Sequence, residues 1–242
     1  MNQSIRLSRR LAELRGCSRA EAEQYIRNGW VRVDGVVVEA PQHRVEPGAR
    51  VELDPWARLE PVEPATMVLH KPAGQDVEQA AALLQPGAHW VHDGSGVRLL
   101  QRHFQRLQSL LPLEAGASGL QVYSQDGRVQ RRLIEDGALL EQEYVVEVAG
   151  RLAAGGLERL AHGLEYRGRA LPPCKVSWQS ETRLRFAIRA VEPGQLQHMC
   201  QAVGLELRAL RRLRIGRIGL GKGPDGAMPA GAWRYLKVGE RF

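Results

Sequence analysis

IRLSRRLAELRGCSRAEAEQYIRNGWVRVDGVVV, residues 5–38, outlines two helices followed by a hairpin. Leu7, Leu11 and Leu14 recur at i, i+4 and i+7, one apolar stripe that predicts a helix over residues 5–14. Arg6, Arg9 and Arg10 fall beside that stripe. Ser18-Arg19-Ala20-Glu21 has the form of a capping box, in which the serine hydroxyl accepts from the backbone three residues on and the glutamate reaches back. A second helix then runs to about Arg27. Asn28-Gly29 ends it, because glycine enters the left-handed region with no Cβ to clash. Val31 and Val33 open a strand, Asp34-Gly35 supplies a tight turn, and Val36 to Val38 return.

Working outward, Pro47-Gly48 marks another turn before a short strand over residues 50–53. Residues 54–64 hold Pro55, Pro61 and Pro64 among alternating charges, a composition that resists helix and sheet and suits a linker. The expected division is therefore 1–58 and 65–242. Beyond the linker, MVLHKPAG (67–74) reads as a strand ending in a Lys-Pro-x-Gly turn. EQEYVVEVAG (141–150) and RLRFAIRAV (183–191) alternate as strands, and residues 195–203 form a helix ended by Gly204. LRALRRLRIGRIGLG (207–221) is strand-rich, and PAGAWRYL (229–236) closes with a turn and a strand. The class is α+β: a small module of two helices and short strands, then a larger domain with a mixed, mainly antiparallel sheet flanked by helices.

The formal net charge is +7. Residues 1–33 carry a net of +4 and residues 202–242 a net of +6, so the middle is net negative and the positive charge sits at the two ends. Most of it is arginine, which forks onto phosphate and stacks on bases, so a polyanionic partner is expected, nucleic acid or an acidic membrane surface. Three cysteines, Cys17, Cys174 and Cys200, are far apart with no CxxC, as expected of a reduced cytoplasmic protein. No apolar run approaches the ~20 residues that span a bilayer, so no membrane role is expected. His89 and His92 are spaced HxxH but lack further ligands in a matching pattern, and no metal site is expected.

The helix spacing, the capping box, Gly29, VRVDG and the arginines together resemble the S4 RNA-binding domain, over about residues 4–55. The resemblance places Arg6, Arg9, Arg10, Arg19 and Arg32 near RNA phosphates. In the remainder, HKPAG (70–74), LEAGASGL (113–120), EQEYVVEV (141–148), LRALRRLRIGRIGLG (207–221) and PAGAWRYL (229–236) resemble, in order, the landmarks of the bacterial ribosomal RNA pseudouridine synthases that carry an N-terminal S4 domain. Residues 75–110 match none of them. That family turns uridine into pseudouridine within ribosomal RNA and uses no cofactor. The resemblance implies RNA contacts at Lys71, Ser118, Gly119, Arg212 and Arg214, with ribosomal RNA or a ribosome precursor as partner to a monomer.

Three catalytic positions follow from the same resemblance. The family loop reads Gly-Arg-Leu-Asp-x-x-Thr-Ser-Gly-Leu, and its aspartate is essential. Residues 111–120 here read LPLEAGASGL, with Glu114 at the aspartate position, Pro112 at the arginine and Ala117 at the threonine. Tyr144 matches the tyrosine that stacks on the target base. The arginine that pairs with the aspartate falls on Gln197, between Leu196 and Met199, which fit. A reacting carboxylate has to be held charged and dry within about 3 Å of its target carbon. Glutamate reaches about 1.5 Å further, and a misplacement near 1 Å lowers rates on the order of 10²-fold. The expected protein therefore binds RNA with its isomerase chemistry impaired. The alternative is an active synthase in which Glu114 works with a relocated arginine, Arg212 or Arg214.

Overall fold

The computed structural model describes residues 4–221 and 227–242. It divides into two compact units: one runs through Pro64 and includes Arg98–Gln105, and the other takes the rest.

In the first unit, β1 (Ile5–Arg6) leads into α1 (Leu7–Arg15), α2 (Arg19–Arg27), β2 (Val31–Val33), β3 (Val36–Val37), β4 (Arg44–Val45) and β5 (Val51–Leu53). The capping box at Ser18 and Glu21 forms in both directions. Gly29 takes φ +68°, and Asp34 and Gly35 take +50° and +84°, the two successive positive values that a tight hairpin needs. Leu7, Leu11, Ala22, Ile26 and Val31 fill the core. Leu14 belongs to the expected stripe but is 48% exposed, because α1 ends one residue later at a left-handed Gly16. The proline-rich stretch carries no helix or strand, yet it is not a free spacer. Gln24 Nε2 donates to Leu59 O and Asn28 Nδ2 to Glu60 O, which lay it along α2. Residues 98–105 dock on the same unit: the Arg98 guanidinium lies 3.4 Å from the Trp30 ring centroid, and the Gln101 N–H donates to the Glu39 carboxylate.

The second unit contains β6 (Thr66–Lys71), α3 (Val77–Ala81), β7 (Gln108–Leu110), β8 (Ala117–Ser124), α4 (Gly127–Glu135), β9 (Gln142–Gly150), α5 (Gly156–Ala161), β10 (Glu165–Tyr166), β11 (Arg169–Ala170), β12 (Lys175–Ser180), β13 (Arg183–Ile188), α6 (Gln195–Gln201), β14 (Leu205–Ile215), β15 (Ile218–Gly219) and β16 (Trp233–Tyr235). Its nine-stranded sheet has the order β12-β13-β9-β14-β8-β6-β16, with β15 and β7 attached to β14 and β8. β14 runs parallel to β8 and antiparallel to β9, so the sheet is mixed and mainly antiparallel. Alternation in β9 and β13 turns Tyr144, Val146, Leu184 and Phe186 into one core with Leu160 of α5 and Leu196 of α6. Each such side chain contributes about 1.5–3 kcal/mol through burial. A second core gathers Val68, Leu120, Val122 and Ile215 under Leu133 of α4. Among the described residues no helix is long and apolar enough to cross a membrane.

Candidate active site

One transverse row of the sheet organises the site. Lys71 on β6 pairs with Gly119 on β8, Gly119 with Arg212 on β14, Arg212 with Tyr144 on β9, and Tyr144 with Phe186 on β13. Gly119 is obligatory in that row. Its φ is +112°, and a Cβ there would meet Arg212 O at 2.1 Å. The sequence reading put Gly119 on the RNA. Its role in the structure is to let two strands close on each other, and it is buried.

Residues 111–116 form the loop that enters β8. Lys71 is 1% exposed, and its Nζ donates to Ala117 O at 2.7 Å, Ala115 O and Pro72 O at 3.1 Å, and Glu114 O at 3.2 Å. This corrects the expectation of a phosphate-binding lysine: the ammonium is spent on loop carbonyls and does not face solvent. Burial lowers its pKa, Asp76 opposes the shift, and the nearby Arg212 charge adds to it. Gln121 Oε1 accepts from Leu113 N at 2.9 Å, and Ala115 O accepts from Gly74 N at 2.8 Å. The loop backbone is thus pinned from below while its tip stays in water.

A cavity of about 230 Å³ opens beside this loop, lined by apolar groups such as Leu113, Leu196 and Leu210, by Tyr144, and by the polar groups Glu114, Glu192, Gln142 and Arg212. Tyr144 serves both as core and as cavity wall, and its hydroxyl donates to Gln142 Oε1 at 2.8 Å. Arg212 is 2% exposed. Its Nε donates to Leu120 O at 2.9 Å, Nη1 to Gln142 Oε1 at 3.1 Å and Nη2 to Leu111 O at 2.6 Å. Burial in this neutral cage lowers its pKa, against the favourable influence of Tyr144. Glu114 stands at the exposed rim, where one carboxylate oxygen accepts from Gly194 N at 2.8 Å. Among the described residues no ion pair joins it to Arg212.

The remaining expected residues scatter. Gln197 is exposed on α6 and is not part of the cavity wall; the cation of the cavity is Arg212, which strand register brings opposite Tyr144. Ser118 faces a different concavity, with Arg183 and Arg211. Arg214 is held by Glu141 and Glu143 at 2.6 and 3.2 Å and by Gly216 O, which makes it a structural ion pair and not an open phosphate contact. In the first unit Arg6, Arg9 and Arg19 line one concavity, joined by Arg44, which sequence reasoning missed and which β-pairing sets opposite Arg6. Arg9 is shared with Glu13 and Arg19 with Glu23. Arg10 is half-buried, with its Nε lacking a hydrogen-bond partner. Arg32 sits apart, in a hollow with Arg98 and Asp54, and donates to Gly35 O. Gln142 was also missed, although a residue two before Tyr144 on a strand shares its face. Among the described residues no group of His, Cys, Asp and Glu could hold a metal ion.

Comparison with known proteins agrees with this architecture. Residues 5–51 match the S4 domain model. The ribosomal small subunit pseudouridine synthase A of Pseudomonas aeruginosa is 29% identical over 243 residues, covering 98% of each chain. The same-named protein of Vibrio cholerae is 28% identical over 96% of each chain, and the dual-specificity RNA pseudouridine synthase RluF of Escherichia coli is 25% identical over 97% of this chain and 76% of its own. Among solved structures, a pseudouridylate synthase aligns over 97% of both chains with a TM-score of 0.58 at 19% identity, a likeness of fold.

Proposed function

This chain is a relative of the RNA pseudouridine synthases that carry an S4 domain, and from that premise we propose that it binds ribosomal RNA, admits a flipped-out base beside Tyr144, and isomerises uridine poorly. The reaction breaks the N1–C1′ bond, turns the base, forms C5–C1′ and releases the C5 proton, with N1 protonated. It calls for a carboxylate held dry and charged next to C1′ and C5. The observation carrying the reading is the position of Glu114: its carboxylate is at the water-exposed rim and bonded to Gly194 N–H, while Arg212 is taken up by neutral acceptors. An exposed, misplaced acid loses much of the proximity and electrostatic advantage on which such catalysis depends. RNA binding is supported by the S4 match and by the arginine-lined concavity.

One observation favours a second reading, an active synthase using Glu114. Arg212 lines the same cavity, so a guanidinium stands there although Gln197 supplies none. Tritium release from C5-labelled uridine in unmodified ribosomal RNA separates the two. Our reading expects release from the intact chain to be slow and little changed by Glu114→Ala. Release by the wild type that Glu114→Ala abolishes establishes the active synthase instead.

A further inference from the structure

One buried polar group of the cavity has no part in the isomerisation. Gln142 is 4% exposed and lines the cavity. Its Oε1 accepts twice, from the Tyr144 hydroxyl at 2.8 Å and from Arg212 Nη1 at 3.1 Å. A guanidinium only donates, so the atom facing Arg212 has to be the amide oxygen, and the amide cannot be turned over without setting donor against donor. The nitrogen end is thereby fixed in place. It carries two N–H donors and has no hydrogen-bond partner among the described residues. That nitrogen is open to the cavity, so its donors are available to whatever enters and can be exchanged from water to a ligand acceptor.

Arg212 extends the same pattern. Nη1 and Nη2 each use one N–H on protein atoms, which leaves a second on each. With Gln142 and Arg212 together, the inner polar wall offers donors and no free acceptor. The two carboxylates that line the cavity, Glu114 and Glu192, are both exposed to solvent and lie outside that inner wall.

Building on the reading that the cavity receives an RNA base, we infer that Gln142 selects which base: its amide nitrogen donates to the 4-oxo oxygen of a uracil. Cytosine carries an amino group at that position, so donors would face donors. The 2-oxo group is common to both bases and cannot discriminate. Tyr144 acts on specificity through Gln142, because its hydroxyl helps to fix which end of the amide faces the base. Sites built to hydrogen-bond a substrate group reject the analogue lacking it more strongly than apolar pockets reject a change of size.

The test is anisotropy of the full chain with short labelled oligouridine and oligocytidine at one salt concentration. Their phosphates are alike, so backbone contacts cancel in the ratio. Wild type is expected to prefer oligouridine by about tenfold. Gln142→Glu keeps an acceptor for Tyr144 and Arg212 but replaces the donor by an acceptor, and the preference should vanish or invert. Tyr144→Phe should reduce it part-way. An oligomer of 2-pyrimidinone riboside, which lacks the 4-oxo group, probes the same contact with unaltered protein and should bind about tenfold more weakly than oligouridine. A wild type with no preference overturns the inference, as does a preference that Gln142→Glu leaves intact, or equal binding of the 2-pyrimidinone oligomer. Narrowing the cavity with Ala117→Leu, checked by thermal melting, tells the two levels apart. If that variant weakens binding of both oligomers while Gln142→Glu leaves their ratio unchanged, the cavity takes a base but Gln142 does not read it. If it changes neither, no base enters and the underlying reading falls as well.

Discussion

Replacing Lys71 by methionine separates a structural lysine from an RNA-binding one. Methionine fits the apolar stem but cannot donate to the four carbonyl oxygens that surround Nζ. Ala117 O is the fully buried acceptor at 2.7 Å, and it would be left unsatisfied; the other three lie in partly buried surroundings where water can replace the ammonium. A lost charged hydrogen bond with an orphaned buried acceptor costs about 3–5 kcal/mol, and relief from burying the ammonium returns part of it. The net expectation is a loss of about 2–3 kcal/mol, read from urea unfolding followed by fluorescence. The loss should concentrate in the loop. Amide exchange at Leu113, which ties the loop to Gln121 Oε1, and at Ala117 and Gly74, which donate to Glu114 O and Ala115 O, should accelerate by more than about tenfold. RNA binding supplies the counter-test. Log affinity against log salt should keep its slope in Lys71→Met, whereas loss of a phosphate contact lowers the slope by about 0.7 on single strands. A reduced slope with unchanged loop protection refutes the assignment of Lys71 to the loop.

Gly119→Ala forces a Cβ onto Arg212 O and demands a backbone angle that alanine rarely adopts, so a loss of at least about 3 kcal/mol is expected in urea melts, with the Tyr144 cavity distorted alongside. Acidification should weaken the first unit through His103, whose pKa is pushed down to about 4 by burial, with Arg102 adding to it, from 6.5 in the unfolded chain. Between those values the unfolded chain binds more protons, so stability falls as pH drops through that window, by up to about 3 kcal/mol, and His103→Gln should flatten the dependence. Arg6→Ala and Arg44→Ala should each reduce the salt slope of RNA binding by about 0.7 without moving the thermal midpoint of the second unit. An unchanged slope in both removes the concavity they line from the RNA-binding surface.

Local signals in the chain carried α1, α2, the β2–β3 hairpin and β5 of the first unit, but not β1, which replaces the start of the expected first helix, nor β4, nor the docking of residues 98–105. The Ser18 capping box, the Asp34-Gly35 turn and the glycine after α2 each depend on contacts within four residues, so sequence alone determined them. The alternation in residues 141–150 and 183–191 determined that Tyr144 and Phe186 face one way, again a local property. Which cation meets Tyr144 was different in kind. It depended on the register of β14 against β9 and β8, strands that pair across about sixty and ninety residues of chain, and on the bulges that shift that register. Charge in a sequence also does not reveal its own burial: Lys71, Arg212 and Arg214 look like surface contacts until backbone carbonyls and carboxylates from distant strands close around them. The chain by itself fixed the elements and the faces they present. Only the tertiary structure decided which polar groups share a cavity, because that follows from strand pairing and desolvation, which couple residues far apart along the chain.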